Sequence, residues 1–376
     1  MIIVNGTVFN DDGIFRKIDV ETQSGVITAL GEKLPKSSHE IINAEDCYVI
    51  PGLIDIHTHG AMGVDFSDGT PEAIEIIAKH QLSHGITSFL GTTMSLPEEL
   101  QTNACKTAKP MINNDYPDQA VIRGIHLEGP FFCHEKRGAQ NPEHIIPADV
   151  DMFHRWNEAS GEAVRLIAVA PEVEDNQEFI KAIAPVCTVS LAHSTADYKT
   201  AVSGFANGAT HVTHLFNGMN AFNHREPGII GAAFDSDAYV ELIADGVHIH
   251  PTMVRAVFEL FSEDRVCIIS DSMCATGLKD GTYILGGMRV TVVGKSATID
   301  NGSLAGSVAS LSDCMRCAVE FGVPLHKAVK AVTINPARSV GLDTEVGSLS
   351  IGKRADILVL SKDLEIKHTI FGGNII

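Results

Sequence analysis

Two histidines separated by one residue, His57 and His59 in "PGLIDIHTHG" (51–60), stand at the end of a short apolar run. Residues i and i+2 of an extended strand point to one face, so both imidazoles can reach a single ion. H-x-H alone is a weak motif, and a lone histidine at a strand end is more often a hydrogen-bonded structural residue than a ligand. Similar residues recur, however, at the ends of other apolar runs: Glu128 in "VIRGIHLE", His193 in "VCTVSLAH", His214 in "THVTHLF" and Asp271 in "VCIISDS". Four imidazoles and two carboxylates make a donor set that suits zinc or iron(II), and a catalytic ion of this kind takes about three protein ligands plus water. Asp271 has a structural alternative, as a side-chain cap on the segment that follows. Beside a metal-activated water its carboxylate is instead a general base, taking a proton and returning it to a leaving amine.

These residues must be brought together by the elements that carry them. Eight β-branched, apolar runs recur through the middle of the chain, adding "ITSFLG", "VRLIAVAPE" and "YVELIADG" to the five already quoted. Helical patterns fill several gaps, at Pro71 to His84, Pro97 to Lys109, Asp175 to Ala184, Thr195 to Asn207 and Pro251 to Phe261. Near-continuous hydrophobic strands alternating with helices predict a parallel sheet closed into a TIM-like (β/α)₈ barrel over 51–345. In such a barrel the reactive groups lie just past the C-terminal ends of the strands, where all six residues fall. The sixth connection, Asn217 to Ala238, shows no clear helix and reads as a functional loop. Residues 1–50 and 346–376 carry short alternating strands separated by turns, and predict one small β-sandwich domain formed by both termini. A hairpin-like insertion, "GGMRVTVVGKSATIDNGSLAGS", follows the eighth strand, with helices from about Ser310 to Ala331.

Composition narrows the function classes. The 376 residues include 44% hydrophobic side chains, enough for a large core, and 28 basic against 47 acidic residues give a formal charge of −19. That balance argues against a nucleic-acid or anionic-membrane partner. An anionic ligand would need a pocket made locally positive by a few Arg, His or metal groups. Without a basic leader or a stretch of ~18 apolar residues, the expected location is cytoplasmic. The eight cysteines lie mostly in apolar segments and read as reduced core thiols; Cys314 and Cys317 form a lone C-x-x-C without a partner pair. His126 lies two residues before Glu128 and could line the pocket or serve a structural role. His211, early in its strand, could face the barrel interior or the substrate, whereas His80, His84, His134, His144 and His154 read as structural.

The motifs "PGLIDIHTHG", "HLEGPF", "LAHSTA", "THLFNGM", "HREPG", "ELIADGVHIHP", "ISDSM" and "GSLAGS" together resemble the amidohydrolase superfamily, and within it the N-acetylglucosamine-6-phosphate deacetylases. The likeness runs along nearly the whole chain. It implies that Glu128, His193 and His214 hold the principal metal and that His57 and His59 complete a second site, giving one or two divalent ions per subunit. The fourth strand, "RLIAVAPE", contains no lysine that could serve as a carboxylated bridge. The resemblance also implies a homodimer in which Arg225 and His248 bind the sugar phosphate in the neighbouring active site, a role suited to the planar donor fork of arginine. Further substrate contacts map onto Ala139, Gln140, Asn217, Gly218, Leu304, Ala305 and Gly306; the Ala-Gln pair departs from relatives that carry histidine at the second position. The implied reaction is deacetylation of N-acetylglucosamine 6-phosphate, with Asp271 as general base and acid. An N-acetylgalactosamine-6-phosphate deacetylase shares the motifs. A dihydroorotase-like cyclic-amide hydrolase is disfavoured by the missing lysine and by "HREPG", and a non-catalytic interaction protein by the retention of every ligand.

Overall fold

Eight parallel strands lie side by side in chain order: Leu53–Thr58, Ile86–Thr93, Val121–Glu128, Val164–Val169, Thr188–Leu191, His211–Val212, Tyr239–Ile243 and Val266–Ile269. The computed structural model that gives them describes residues 1–35 and 40–376. The eighth strand meets the first where the Asp271 N–H donates to the His57 carbonyl (3.0 Å) and the His59 N–H to the Ser272 carbonyl (2.8 Å). The ring is therefore closed at the rim by the very segments that carry three of the candidate site residues. Strands two and three are buried along their whole length, because helices cover one face and barrel-interior side chains the other.

The outer helices follow the sequence pattern closely. Pro71–Ser83, Glu98–Ala108, Asn176–Ile183, Tyr198–Ala206 and Pro251–Leu260 stand where apolar periodicity placed them, the first capped by Thr70 on the Ala73 N–H (3.2 Å). The sixth connection differs from expectation. Its second half forms the helix Gly228–Asp235, in which Gly228 to Ala233 are all buried. The stretch "GIIGAAFD" has no polar stripe and no side-chain cap, the two signals by which a surface helix is recognised; a helix apolar on every side is one enclosed by the protein.

Both termini contribute to a two-sheet unit beside the barrel. One sheet orders Val26–Gly31, Asp19–Gln23, Ile2–Val4 and Ile41–Asn43; the other runs from Asn374–Ile375 through Ile366–Phe371, Ile357–Leu360, Tyr48–Pro51 and Thr7–Phe9 to Phe15–Lys17. Ile3, Val20 and Ile27 from the first sheet pack with Val8, Val49, Ile357 and Val359 from the second, which makes the unit a sandwich with its own core. Tyr48–Pro51 lies in that sandwich one residue before the first barrel strand begins. The insertion forms a three-stranded meander, Gly281–Leu285, Met288–Val293 and Ser296–Ile299. Its first turn uses Gly286 and Gly287 at φ +54° and +81°, the left-handed pair that a two-residue hairpin requires. All eight cysteines are free, and no described helix is long and apolar enough to cross a membrane.

Close packing supports the second strand at Gly91, where a Cβ would lie 2.1 Å from the Phe66 ring. Gly91→Ala is expected to destabilise the fold by about 1–3 kcal/mol through overpacking, read from the urea midpoint; an unchanged midpoint would show that the ring yields freely.

Candidate metal centre and active site

The rim is assembled by backbone turned out of strand geometry. His193, His214 and Asp271 each lie two residues beyond their strands, at φ +44°, +29° and +48°. Non-glycine residues enter this region at a cost of about 1–3 kcal/mol each, so surrounding bonds must hold them there. They do: the His193 carbonyl accepts from the Cys133 N–H (3.0 Å), that of His214 from Asn217 (2.9 Å) and that of Asp271 from Ser307 (2.7 Å).

Glu128 is the point on which the rings converge. Its Oε1 lies 3.0 Å from His214 Nε2 and 3.2 Å from His193 Nε2, and those two nitrogens are 3.1 Å apart. Its Oε2 is 3.3 Å from His59 Nε2, which is itself 3.3 Å from His57 Nε2. Asp271 Oδ1 stands 3.4 Å from both His57 Nε2 and His59 Nε2. All six side chains are buried.

Hydrogen bonds behind the rings decide which nitrogen faces inward. His193 Nδ1 donates to the Lys136 carbonyl (2.9 Å), and His57 Nδ1 to Glu241 Oε2 (2.9 Å). A proton on Nδ1 leaves the Nε2 lone pair of each ring directed at the cluster, the state of a metal ligand. Lone pairs and carboxylate oxygens packed at 3.0–3.5 Å repel one another unless positive charge lies among them, and ~2.0–2.2 Å bonds to one ion produce such separations. Two groupings fit a divalent cation: Glu128, His193 and His214; and His57, His59 and Glu128. A third, His57 with His126 and Glu241, reuses the His57 Nδ1 already bonded to Glu241.

Electrostatics of the cluster carry the same message. Burial alone would lower the His57 pKa, but the charges of Glu241, Asp271 and Glu128 lift it to about 9. Burial would raise the Glu128 pKa; the His57 charge and the adjacent His193 and His214 rings hold it well below the usual carboxylate range. Asp271 is likewise held low, burial being outweighed by His57 and His59, so its carboxylate stays ionised. The site thus attracts cationic charge strongly.

A cavity of about 360 Å³ opens over this centre. Ala139, Gln140, Asn217, Gly218, His248, Leu304 and Gly306 all line it, as do His59, Glu128, His193, His214 and Asp271. His57 lies behind this layer, and Ala305 is buried beneath the wall with its N–H on the Ala297 carbonyl (3.0 Å). Gln140 has both ends of its amide engaged, Oε1 accepting from the Ser95 N–H (2.7 Å) and Nε2 donating to Glu128 Oε2 (2.6 Å). His248 lines the pocket of its own chain. Its Nδ1 donates to Asp245 Oδ2 (2.8 Å), which leaves Nε2 free of that bond. Arg225 is absent from the pocket wall and lies on an exposed face with Lys199 and Pro227.

Two residues of the site escaped sequence reasoning. Lys136 lines the pocket wall, its carbonyl accepting from His193 Nδ1, on a short 3-10 turn between strands that carries no distinguishing pattern. Glu241 is fully buried; its Oε2 accepts from His57 Nδ1 and from the His214 N–H (3.1 Å), and its Oε1 lies 3.3 Å from His211 Nε2. The available signal was a single charge inside the apolar run "YVELIA". His126 lies within the barrel, edge-on to His57 at 4.5 Å between ring centroids, with no hydrogen-bond partner for either nitrogen among the described residues. Burial and the His57 charge push its pKa well below the ordinary value. His211 is also interior.

A parallel barrel with a terminal sandwich and a histidine–carboxylate rim at the strand ends is the architecture of a metal-dependent hydrolase, and the chain belongs to the amidohydrolase family, whose model matches residues 48–376. Within that family it is 35% identical to the N-acetylglucosamine-6-phosphate deacetylase of Bacillus subtilis, over 100% of this chain and 96% of the relative. It is 32% identical to the N-acetylgalactosamine-6-phosphate deacetylase of Escherichia coli O157:H7, over 98% and 97%. Among solved structures, a Mycobacterium smegmatis N-acetyl-D-glucosamine-6-phosphate deacetylase variant in complex with N-acetyl-D-glucosamine-6-phosphate superposes with a TM-score of 0.93. That match has 30% identity and covers 100% of this chain and 98% of the other.

Glu241→Gln keeps the shape of the side chain and removes the charge that fixes the His57 tautomer. Competition with a chelator should show metal affinity reduced by about 10–100-fold; undiminished affinity would confine Glu241 to packing.

Proposed function

We propose that this chain hydrolyses the N-acetyl group of N-acetylglucosamine 6-phosphate, giving acetate and glucosamine 6-phosphate. The observation that carries the reading is the six-residue rim, with Asp271 Oδ1 3.4 Å from two candidate ligand nitrogens at the floor of a sugar-sized pocket. Full-length similarity to deacetylases of this substrate supports it. Glu128, His193 and His214 would hold the principal ion, with His57 and His59 completing a second site; zinc or iron(II) suits these donors. When bound, such an ion polarises the acetamide carbonyl and lowers the pKa of an adjacent water from ~15.7 toward ~7.

The chain's own residues handle the proton. Asp271, ionised at neutral pH, takes a proton from the attacking water as the new C–O bond forms at the acetyl carbon. The protonated carboxyl then delivers it to the amide nitrogen as the C–N bond breaks, because an unprotonated amine anion is a very poor leaving group. The water oxygen ends in acetate and the transferred hydrogen in the sugar amine.

Binding of the phosphate needs positive charge against a net −19. Lys136 and His248 supply it from within the chain, the latter with Nδ1 fixed by Asp245. Arg225 would add a bidentate donor fork from the second subunit of a homodimer, consistent with its exposed position away from its own pocket. A cytoplasmic location fits a phosphorylated metabolite.

The N-acetylgalactosamine 6-phosphate reading is kept because a relative acting on that epimer is nearly as similar to this chain. Acetate release from both phosphorylated epimers and from the unphosphorylated sugar separates these readings. The glucosamine epimer should be the best substrate, and removal of phosphate should cost at least about 100-fold in kcat/KM, as for a charge-assisted pair left unmade. Equal rates with and without phosphate would refute the roles of Lys136, His248 and Arg225. Asp271→Asn should abolish turnover by at least about 100-fold with bound metal unchanged; an active variant would remove Asp271 from the mechanism.

A further inference from the structure

The fourth barrel strand, Val164–Val169, supplies none of the candidate ligand groupings among the described residues, yet the chain just past it carries a carboxylate, Glu172. Three donors from the two residues after His193 end on it. Glu172 Oε1 accepts from the Thr195 N–H (2.5 Å) and from the Thr195 hydroxyl (3.0 Å), and its Oε2 accepts from the Ser194 hydroxyl (2.6 Å). Ser194 is fully buried, and its Oγ also accepts from the Ala196 N–H (2.9 Å), so the bonded turn runs from Ser194 to Ala196. Glu172 is not among the described residues that line the cavity over the rim. Its carboxylate holds protein rather than substrate.

We infer that Glu172 is a positioning residue for the metal centre: by clamping the Ser194–Thr195 turn it holds the His193 ring where Nε2 meets Glu128. The inference rests on the metal-centre reading given above. His193 stands at φ +44°, a conformation that costs about 1–3 kcal/mol and must be held from both sides. Its ring is tied through Nδ1 to the Lys136 carbonyl (2.9 Å), and its own carbonyl accepts from the Cys133 N–H (3.0 Å). Neither bond fixes the chain that leaves it. Glu172 does so, together with the Ser194 N–H on the Gly218 carbonyl (2.9 Å). Without the clamp the Thr195 N–H loses its acceptor and the turn can relax toward ordinary backbone, carrying His193 Nε2 away from Glu128 Oε1, which now lies 3.2 Å from it. The clamp depends on reach and not on charge. An amide of the same length keeps every contact, because its oxygen accepts from Thr195 and its NH₂ donates to Ser194 Oγ, a hydroxyl that can accept as well as donate. A shorter carboxylate keeps the charge and draws both oxygens back by one methylene.

The test uses the full chain, stripped with a chelator and titrated with zinc under chelator competition. Glu172→Asp should weaken the tightest-bound zinc by about 10–100-fold, the range in which a group supporting a ligand acts. Glu172→Gln should bind zinc as the wild type does. Cobalt at one equivalent supplies a second readout: its visible spectrum, which reports ligand geometry, should change in the aspartate variant and match the wild type in the glutamine variant. A packing role alone would lower the unfolding midpoint of the metal-free chain and leave affinity and spectrum as they are. Wild-type affinity in Glu172→Asp, or a glutamine variant weakened as much as the aspartate one, would overturn the inference and leave the metal-centre reading intact. Absence of any zinc binding by the wild type would overturn both.

Discussion

The structure depends on a repulsion. Nitrogen lone pairs and carboxylate oxygens from five separate strand ends are pressed to within 3.0–3.5 Å of one another, and all the side chains are buried. Water cannot screen this cluster, so positive charge within it is what makes the arrangement tolerable. The rest of the molecule holds it in place: closure of the barrel at His57 and His59, left-handed backbone at His193, His214 and Asp271, and Glu241 and the Lys136 carbonyl behind the rings. The left-handed backbone costs stability locally, and the hydrogen bonds around it hold the donors where a divalent ion would be accommodated.

The same geometry separates binding from chemistry. Glu128, His193 and His214 point their donors at one another, whereas Asp271 approaches from the eighth strand, near His57 and His59 and open to the cavity. A carboxylate that stays ionised beside cationic charge can accept a proton without surrendering its position, as a general base must. Under the proposed function, phosphate would be met further out, by Lys136 and His248 at the pocket wall.

Much of this was legible in the sequence because strand ends advertise themselves. A continuous apolar run ending in His or Glu is conspicuous, and eight apolar runs in rhythm, several of them so ended, define both the barrel and its rim. The helix Gly228–Asp235 was not legible, since a helix enclosed on every side loses the 3.6-residue alternation on which recognition depends. Glu241 was passed over for a related reason: a charge inside a buried strand means little until its partners, His57 and the His214 amide, are known from the tertiary fold. Gln140 was placed near substrate by resemblance, and its bonds to Ser95 and Glu128 emerge only from the tertiary fold.

Anomalous X-ray scattering from crystals of the zinc-loaded protein tests the central claim most directly. The account predicts a peak bonded to Glu128, His193 Nε2 and His214 Nε2 at ~2.0–2.2 Å, with any second peak among Glu128, His57 and His59. An ordered rim with no peak among these atoms, or zinc bound elsewhere on the chain, would contradict it.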